Sequence, residues 1–216
     1  MGMVGFRDFF SDHIISFFHS AENDDMVKTI FPTVSPVSLD GPFTFGVALG
    51  RYTLAQFHTK SDLGILIHLM KYGQNIAAAE KLAAFIIEYL KSYPLPETPD
   101  LLVTIPDTIP NRPFKANQYL GDHIAVALGI PSRHDIFGHL KLGPPQKDRS
   151  FEERLADDQP RYRLTHPEAV KGKSILLYDD ICSTGQSLCE AARLLKSAGA
   201  ESVTALTLVK IGPPRD

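Results

Sequence analysis

Apolar positions along this chain recur with two different spacings, and the alternation between the two outlines a layered fold. Residues 63–72 and 77–93 carry their Leu, Ile, Met, Phe and Ala positions at helical spacing, with Gly73 and Gln74 between the runs and Pro94 and Pro96 ending the second. Residues 118–128 repeat that pattern, closed by Gly129 and followed by Pro131. Three shorter runs are apolar on successive positions, as in strands covered on both faces: 101–105, stopped by Pro106; 174–178; and 202–209, rich in Val, Leu and Thr. Between the last two, residues 186–197 place Leu188, Ala191, Ala192 and Leu195 on one helical face, with Gly199 as a C-cap. Residues 134–140 are read as a further strand, and 43–48 with 52–57 as a hairpin turning at Leu49-Gly50-Arg51. Phe6, Phe9, Phe10, Ile14, Phe17 and Phe18 predict an amphipathic N-terminal helix that packs on the body of the protein, and residues 22–42 an irregular segment. Strands alternating with helices specify an α/β fold around a mostly parallel central sheet flanked by helices.

Residues 143–166 interrupt this order. They are polar, open with Gly-Pro-Pro and show little periodicity. Structureless stretches of that length inside compact domains are often functional lids.

Composition narrows the class. The chain has 216 residues and a net charge of −3, and it carries no Lys/Arg run, so non-specific nucleic-acid binding through a basic face is not suggested. Its two cysteines, Cys182 and Cys189, are too few for a four-thiolate zinc site and are read as free thiols in a reducing compartment. The eight histidines form no pair at ligand spacing. Residues 1–20 are broken by Arg7, Asp8, Asp12 and His13, unlike a secretory leader, and no window of about 18 residues is apolar enough to span a membrane. The expectation is a soluble, cytoplasmic protein.

The chemistry concentrates in residues 175–187. Ile175-Leu176-Leu177-Tyr178 forms an apolar strand, with Asp179 and Asp180 at its carboxyl end, where open α/β sheets bind ligands. Ile181-Cys182-Ser183-Thr184-Gly185-Gln186-Ser187 follows, rich in small and hydroxyl residues, and leads into a helix. Free N–H groups and the positive dipole end of that helix make an anion site, with Ser183, Thr184 and Ser187 adding donors. A phosphate cradle beside two acceptors suits a ribose 5-phosphate. Other readings fit less well. A response-regulator receiver would need a further Asp and a Lys on later strands, for which too little chain remains. Gly172-Lys173-Ser174 mimics the end of a P-loop but precedes the strand, and position 167 is Pro.

Residues 175–187 resemble the phosphoribosyl pyrophosphate motif of type I phosphoribosyltransferases: an apolar strand, two acids, then a Thr-Gly loop. Over roughly residues 45–210 the chain is similar to the ComF-type (competence protein F-like) branch, through Lys71-Tyr72-Gly73, through Arg112, Phe114, Asn117 and Gln118, and through Gln146 and Arg154. It departs from that branch in lacking an N-terminal cysteine cluster, in having Pro113 for Gly and in reading Ser183 within the loop. The resemblance implies a type I phosphoribosyltransferase fold over residues 43–216, with hood elements at about 43–95 and residues 1–42 as an extension. It implies that Asp179 and Asp180 accept from the ribose hydroxyls and that Cys182, Ser183, Thr184, Gly185, Gln186 and Ser187 hold the 5′-phosphate. Pro106, Asp107 and Thr108 fall where the family has its pyrophosphate loop; Asp107 would touch Mg²⁺ through water or cap a turn. Gln146, Lys147, Arg149 and Arg154 would form the lid, with Arg112 and Lys115 as weaker candidates. No dedicated protein metal site is implied, since Mg²⁺ arrives with phosphoribosyl pyrophosphate. The expected activity is transfer of phosphoribosyl to an unknown acceptor with release of pyrophosphate. The alternative is a non-catalytic module that binds the same ligand, or a nucleotide, in regulation or DNA uptake. A homodimer is compatible with the resemblance, and the sequence does not decide it.

Overall fold

The computed structural model describes residues 36–54, 59–107, 113–140 and 160–212. The N-terminal Phe-rich pattern, Thr108, Arg112 and the lid candidates Gln146, Lys147, Arg149 and Arg154 lie outside the described residues.

The central sheet has six strands: β1 (Val37–Ser38), β2 (Phe45–Arg51), β5 (Leu101–Thr104), β6 (Ser132–Arg133), β9 (Ser174–Cys182) and β10 (Ser202–Lys210). Their spatial order is β1-β2-β10-β9-β5-β6, parallel throughout except for the antiparallel β1. The sheet thus takes in Val37–Ser38, which the sequence reading places in the extension. Side chains on one face pack under helices α1 (Asp62–Gly73), α2 (Ile76–Ser92) and α3 (Ala116–Leu128), where Leu176, Tyr178 and Leu206 meet Ile67, Leu82 and Leu120. The other face, with Ile175, Leu177, Val203 and Ala205, packs against Leu188, Ala191 and Leu195 of α4 (Gln186–Ser197). Burial on both faces explains why these strands read as continuous apolar runs.

The helices begin where local chemistry lets them. Ser61 caps α1 by accepting from the Gly64 N–H at 3.0 Å, and Asn75 caps α2 by accepting from the Ala78 N–H at 2.9 Å. Gly129 closes α3 in the left-handed region at φ 69°.

The structure corrects the expected N-terminal hairpin. Residues 45–51 are one strand running parallel to β10, and Gly50 lies inside it rather than in a turn. Its lack of a side chain admits α1, because a Cβ there would lie 2.9 Å from Leu63 Cδ1. The hairpin is instead β3 (Thr53–Leu54) with β4 (Thr59–Lys60). The strand expected at 134–140 is the shorter β7 (Phe137–His139). Its antiparallel partner is β8 (Tyr162–Leu164), which the sequence reading leaves inside the polar loop. Tyr162 is buried against Phe137, a contact that three residues of pattern cannot announce.

Candidate functional site

β5 and β9 are neighbours, yet the chain leaves them toward opposite faces, through α3 after β5 and through α4 after β9. This is a topological switch point, and a crevice opens beyond the carboxyl ends of the two strands. Pro106, Asp107, Asn117, Asp179 and the loop 181–187 line it, together with Lys71 and Tyr162.

β9 continues through both acids to Cys182, so Asp179 and Asp180 lie within the strand and not after it. Successive strand residues point to opposite faces. Asp180 turns toward α1, where it is 1% exposed and meets Lys71. The Lys71 ammonium donates to Asp180 Oδ1 at 2.8 Å and lies equally close, at 2.8 Å, to Oδ2. Asp179 keeps partial exposure, and its Oδ1 accepts from the Asn117 amide at 2.8 Å and from the Asp180 N–H at 2.9 Å. Asn117 also donates to the Ile105 carbonyl at 3.1 Å and accepts from the Asp180 N–H at 2.9 Å. One amide therefore ties the end of β5 to the acid pair.

Burial and the neighbouring Asp180 charge push the Asp179 carboxyl up to about 7, against the opposing pull of Lys71 and the Asn117 and Asp180 hydrogen bonds. Burial works against the Lys71 charge, but the Asp180 and Asp179 carboxylates outweigh it and hold the ammonium above its ordinary range.

The loop after β9 leads straight into the start of α4. Gly185 sits at φ 86°, a left-handed conformation that a side chain strains, and α4 begins at the next residue. α4 has no side-chain cap, so the N–H groups of its first turn face the crevice mouth without intrahelical partners. Thr184 Oγ1 lies 3.4 Å from the Gln186 N–H, and Ser183 Oγ is buried without a hydrogen-bond partner among the described residues. Lys210, at the end of β10, donates to the Ser183 carbonyl and lies 3.4 Å from Cys182 Sγ. Burial pushes the Cys182 thiol up, so that sulfur is a packing group. Both cysteines are free thiols in the structure.

Of the pyrophosphate-loop candidates, Pro106 and Asp107 line the crevice; the Asp107 carbonyl is 3.0 Å from His139 Nε2. No peptide bond among the described residues is cis. Lys115, expected as a weaker candidate, is exposed and precedes α3 away from the crevice lining.

Sequence reasoning gave no site role to Lys71, Asn117 or Tyr162. The first two surfaced only in the family resemblance, because their partners lie 109 and 62 residues away. Tyr162 is brought in by α4: Glu190 Oε1 accepts from the Arg161 N–H at 2.7 Å and the Tyr162 N–H at 2.9 Å. Arg161 also donates to Gln186 Oε1 at 2.9 Å, anchoring the chain beside the loop.

Among the described residues no helix is long and apolar enough to cross a membrane, and no group of three or more His, Cys, Asp or Glu is placed to hold a metal ion.

The chain is 33% identical over 109 residues to adenine phosphoribosyltransferase 4 of Arabidopsis thaliana, covering 44% of this chain and 59% of the relative. It is 33% identical over 85 residues to ribose-phosphate pyrophosphokinase of Helicobacter hepaticus, covering 34% of this chain and 28% of the relative. It thus spans well under two thirds of the length of either. Among solved structures, adenine phosphoribosyltransferase from Trypanosoma brucei aligns with a TM-score of 0.46 at 14% identity, over 85% of this chain and 93% of that one. Residues 143–214, the stretch that holds the acid pair and its loop, match the family model described as the phosphoribosyl transferase domain.

Proposed function

We propose that this chain binds phosphoribosyl pyrophosphate in the switch-point crevice and transfers its phosphoribosyl group to an acceptor, releasing pyrophosphate. The observation that carries the reading is the continuity of acid pair, loop and uncapped helix. Asp179 faces the crevice, and α4 starts directly after the Gly185 turn with its first residues lining the same space. A ribose hydroxyl donor and a 5′-phosphate acceptor would each find a partner there. The Asp179–Asp180 pair holds the sugar, residues 182–187 hold the phosphate, and Pro106-Asp107 flank the pyrophosphate.

In the reaction, the bond from ribose C1 to the pyrophosphate oxygen breaks and its electron pair leaves with pyrophosphate. An acceptor lone pair forms the new bond at C1, and the acceptor's proton passes to water. The protein needs to fix the sugar, favour positive charge on it and exclude water. The Asp107 carboxylate at the crevice wall is an oxygen donor suited to Mg²⁺ and would hold it through water. When bound there, Mg²⁺ would supply neutralisation of the charge growing on the leaving group. The affiliation with the ComF-type branch is part of the same proposal. What supports it is that Lys71 and Asn117, two of the residues that carry the resemblance, both reach the acid pair.

The test is calorimetric titration with phosphoribosyl pyrophosphate, with and without Mg²⁺, against ribose 5-phosphate. The expected result is binding that strengthens with Mg²⁺ and with the pyrophosphate group, followed by matched pyrophosphate release with one member of a nucleobase panel. Failure of both ligands to bind would sink the reading.

A further inference from the structure

The two acids do not share one environment. Because β9 stays extended through residue 182, Asp179 and Asp180 point to opposite faces of the sheet. Both acids line the crevice, but Asp179 keeps partial exposure there, whereas Asp180 is 1% exposed and paired with Lys71. A second buried carboxylate beside the first is costly unless a cation meets it. Lys71 is that cation. It projects from the last turn of α1, where the helix dipole favours positive charge, and is itself largely buried at 17% side-chain exposure.

We propose that Lys71 is a positioning residue that locks Asp180 as an internal counter-charge and leaves Asp179 as the one acid that meets the sugar. The inference rests on the phosphoribosyl reading and divides between the two acids a task that reading gives to both. Lys71 acts through Asp180: with the ion pair in place and Asp179 ionised, the two acids and the ammonium together carry a single negative charge. Asp180 without Lys71 raises that charge to two. Lys71 without Asp180 is left with Asp179, whose carboxylate already acts on it, and competes with the sugar for that acid.

The groups that set the Asp179 charge come from every element around it. Asp180 on β9, Lys71 on α1 and Asn117 on α3 act on Asp179; Tyr178 and Cys182 on β9 and Tyr162 on β8 face its charge and respond to it, and Asp107, after β5, acts on Lys71. Among these Lys71 is the lone cation in the crevice lining of described residues.

A double-mutant cycle separates this role from direct sugar binding by Asp180. Phosphoribosyl pyrophosphate affinity is measured by calorimetry for the wild type, Lys71→Met, Asp180→Asn and the double variant. Each single change is expected to weaken binding about tenfold or more, the size of one pK unit of lost interaction. The double variant, which removes both charges, is expected to bind more tightly than either single variant. A double variant as weak as Asp180→Asn alone would mean that Asp180 contacts the sugar itself, and would overturn the proposal. The second readout needs no ligand. The Asp179 carboxyl midpoint, followed by carbon NMR, should rise in Lys71→Met, fall in Asp180→Asn and return near the wild-type value in the double variant. A midpoint that stays put in Lys71→Met also overturns the proposal. If the wild type binds no phosphoribosyl pyrophosphate but the midpoints move as stated, the functional reading fails while the counter-charge survives.

Discussion

The two ends of β9 handle carboxylates in opposite ways. At the amino end, Ser174 donates to Glu97 Oε1 at 2.6 Å, and the Ser174 N–H donates to Asp100 Oδ2 at 2.9 Å. Hydrogen bonds from Ser174 and Ser202 hold the Glu97 carboxyl below its ordinary range, and Glu97 remains solvated. At the carboxyl end, burial and Asp180 push the Asp179 carboxyl up to about 7. β9 pairs with both β5 and β10 over residues 175–178, and with β10 alone beyond the acids. The difference is that one set of acids sits at a solvated rim and meets neutral donors, while the other is enclosed by α1, α3 and the loop before α4. Acids at the solvated rim are held by neutral donors, whereas acids in the crevice are held against their own solvation, an arrangement that clusters at functional sites.

The largest expected effect tests that contrast directly. Asp179→Asn should weaken phosphoribosyl pyrophosphate binding about a hundredfold, the order of a lost charge-assisted hydrogen bond, whereas Glu97→Gln should leave it unchanged. Calorimetry on both variants checks this; equal losses at the two ends would erase the distinction.

Next comes stability against pH. An unfolded aspartate titrates near about 3.9, so a folded carboxyl raised to about 7 contributes stability below the unfolded value that is lost as pH rises through the folded one. Asp179→Asn should therefore stabilise the ligand-free protein at pH 7.5 by on the order of 1–3 kcal/mol and have little effect at pH 4. Glu97 has the opposite sign: its lowered carboxyl contributes above its unfolded value, and the contribution is lost as pH falls through the folded one. Melting curves of the two variants across pH 4–8 should diverge in opposite senses, and parallel curves would contradict the assignment.

Gly185→Ala has a smaller expected effect. It places a side chain at φ 86° and should cost about 1–2 kcal/mol in stability. Because this residue aims the first turn of α4, phosphate-bearing ligands should also bind more weakly. A melt that falls with ligand affinity untouched would remove Gly185 from the site. Smallest is Ser174→Ala, which should lower the melting temperature by no more than about 4 °C and leave ligand affinity unchanged. A change in affinity there would mean that the two ends of β9 are coupled.

Much of this was legible without coordinates, for a physical reason. Helices α1, α2, α3 and α4 and strands β5, β9 and β10 fall within a few residues of the ranges read from periodicity, since two-sided burial leaves continuous apolar runs and one-sided packing leaves a helical stripe. The small-residue loop before α4 announced itself because a left-handed turn and an uncapped helix start demand Gly and hydroxyl residues locally. Where the local signal was ambiguous, tertiary context decided. Gly50 reads as a turn residue in sequence, but the approach of Leu63 puts it inside a strand. β8 is too short to show a period and exists because Phe137 and Glu190 hold it.

By itself, then, the sequence determined an α/β sheet with an acid pair followed by a small-residue loop and a helix start, because sterics, periodicity and turn chemistry act over a few neighbouring residues. Only the tertiary structure decided that β9 runs on through the acids and turns them to opposite faces. It also decided that Asn117 clamps one acid and Lys71 neutralises the other, from 62 and 109 residues away. Those choices depend on which helix covers which face of the sheet, and a charge buried there is tolerated only where the packing delivers its partner.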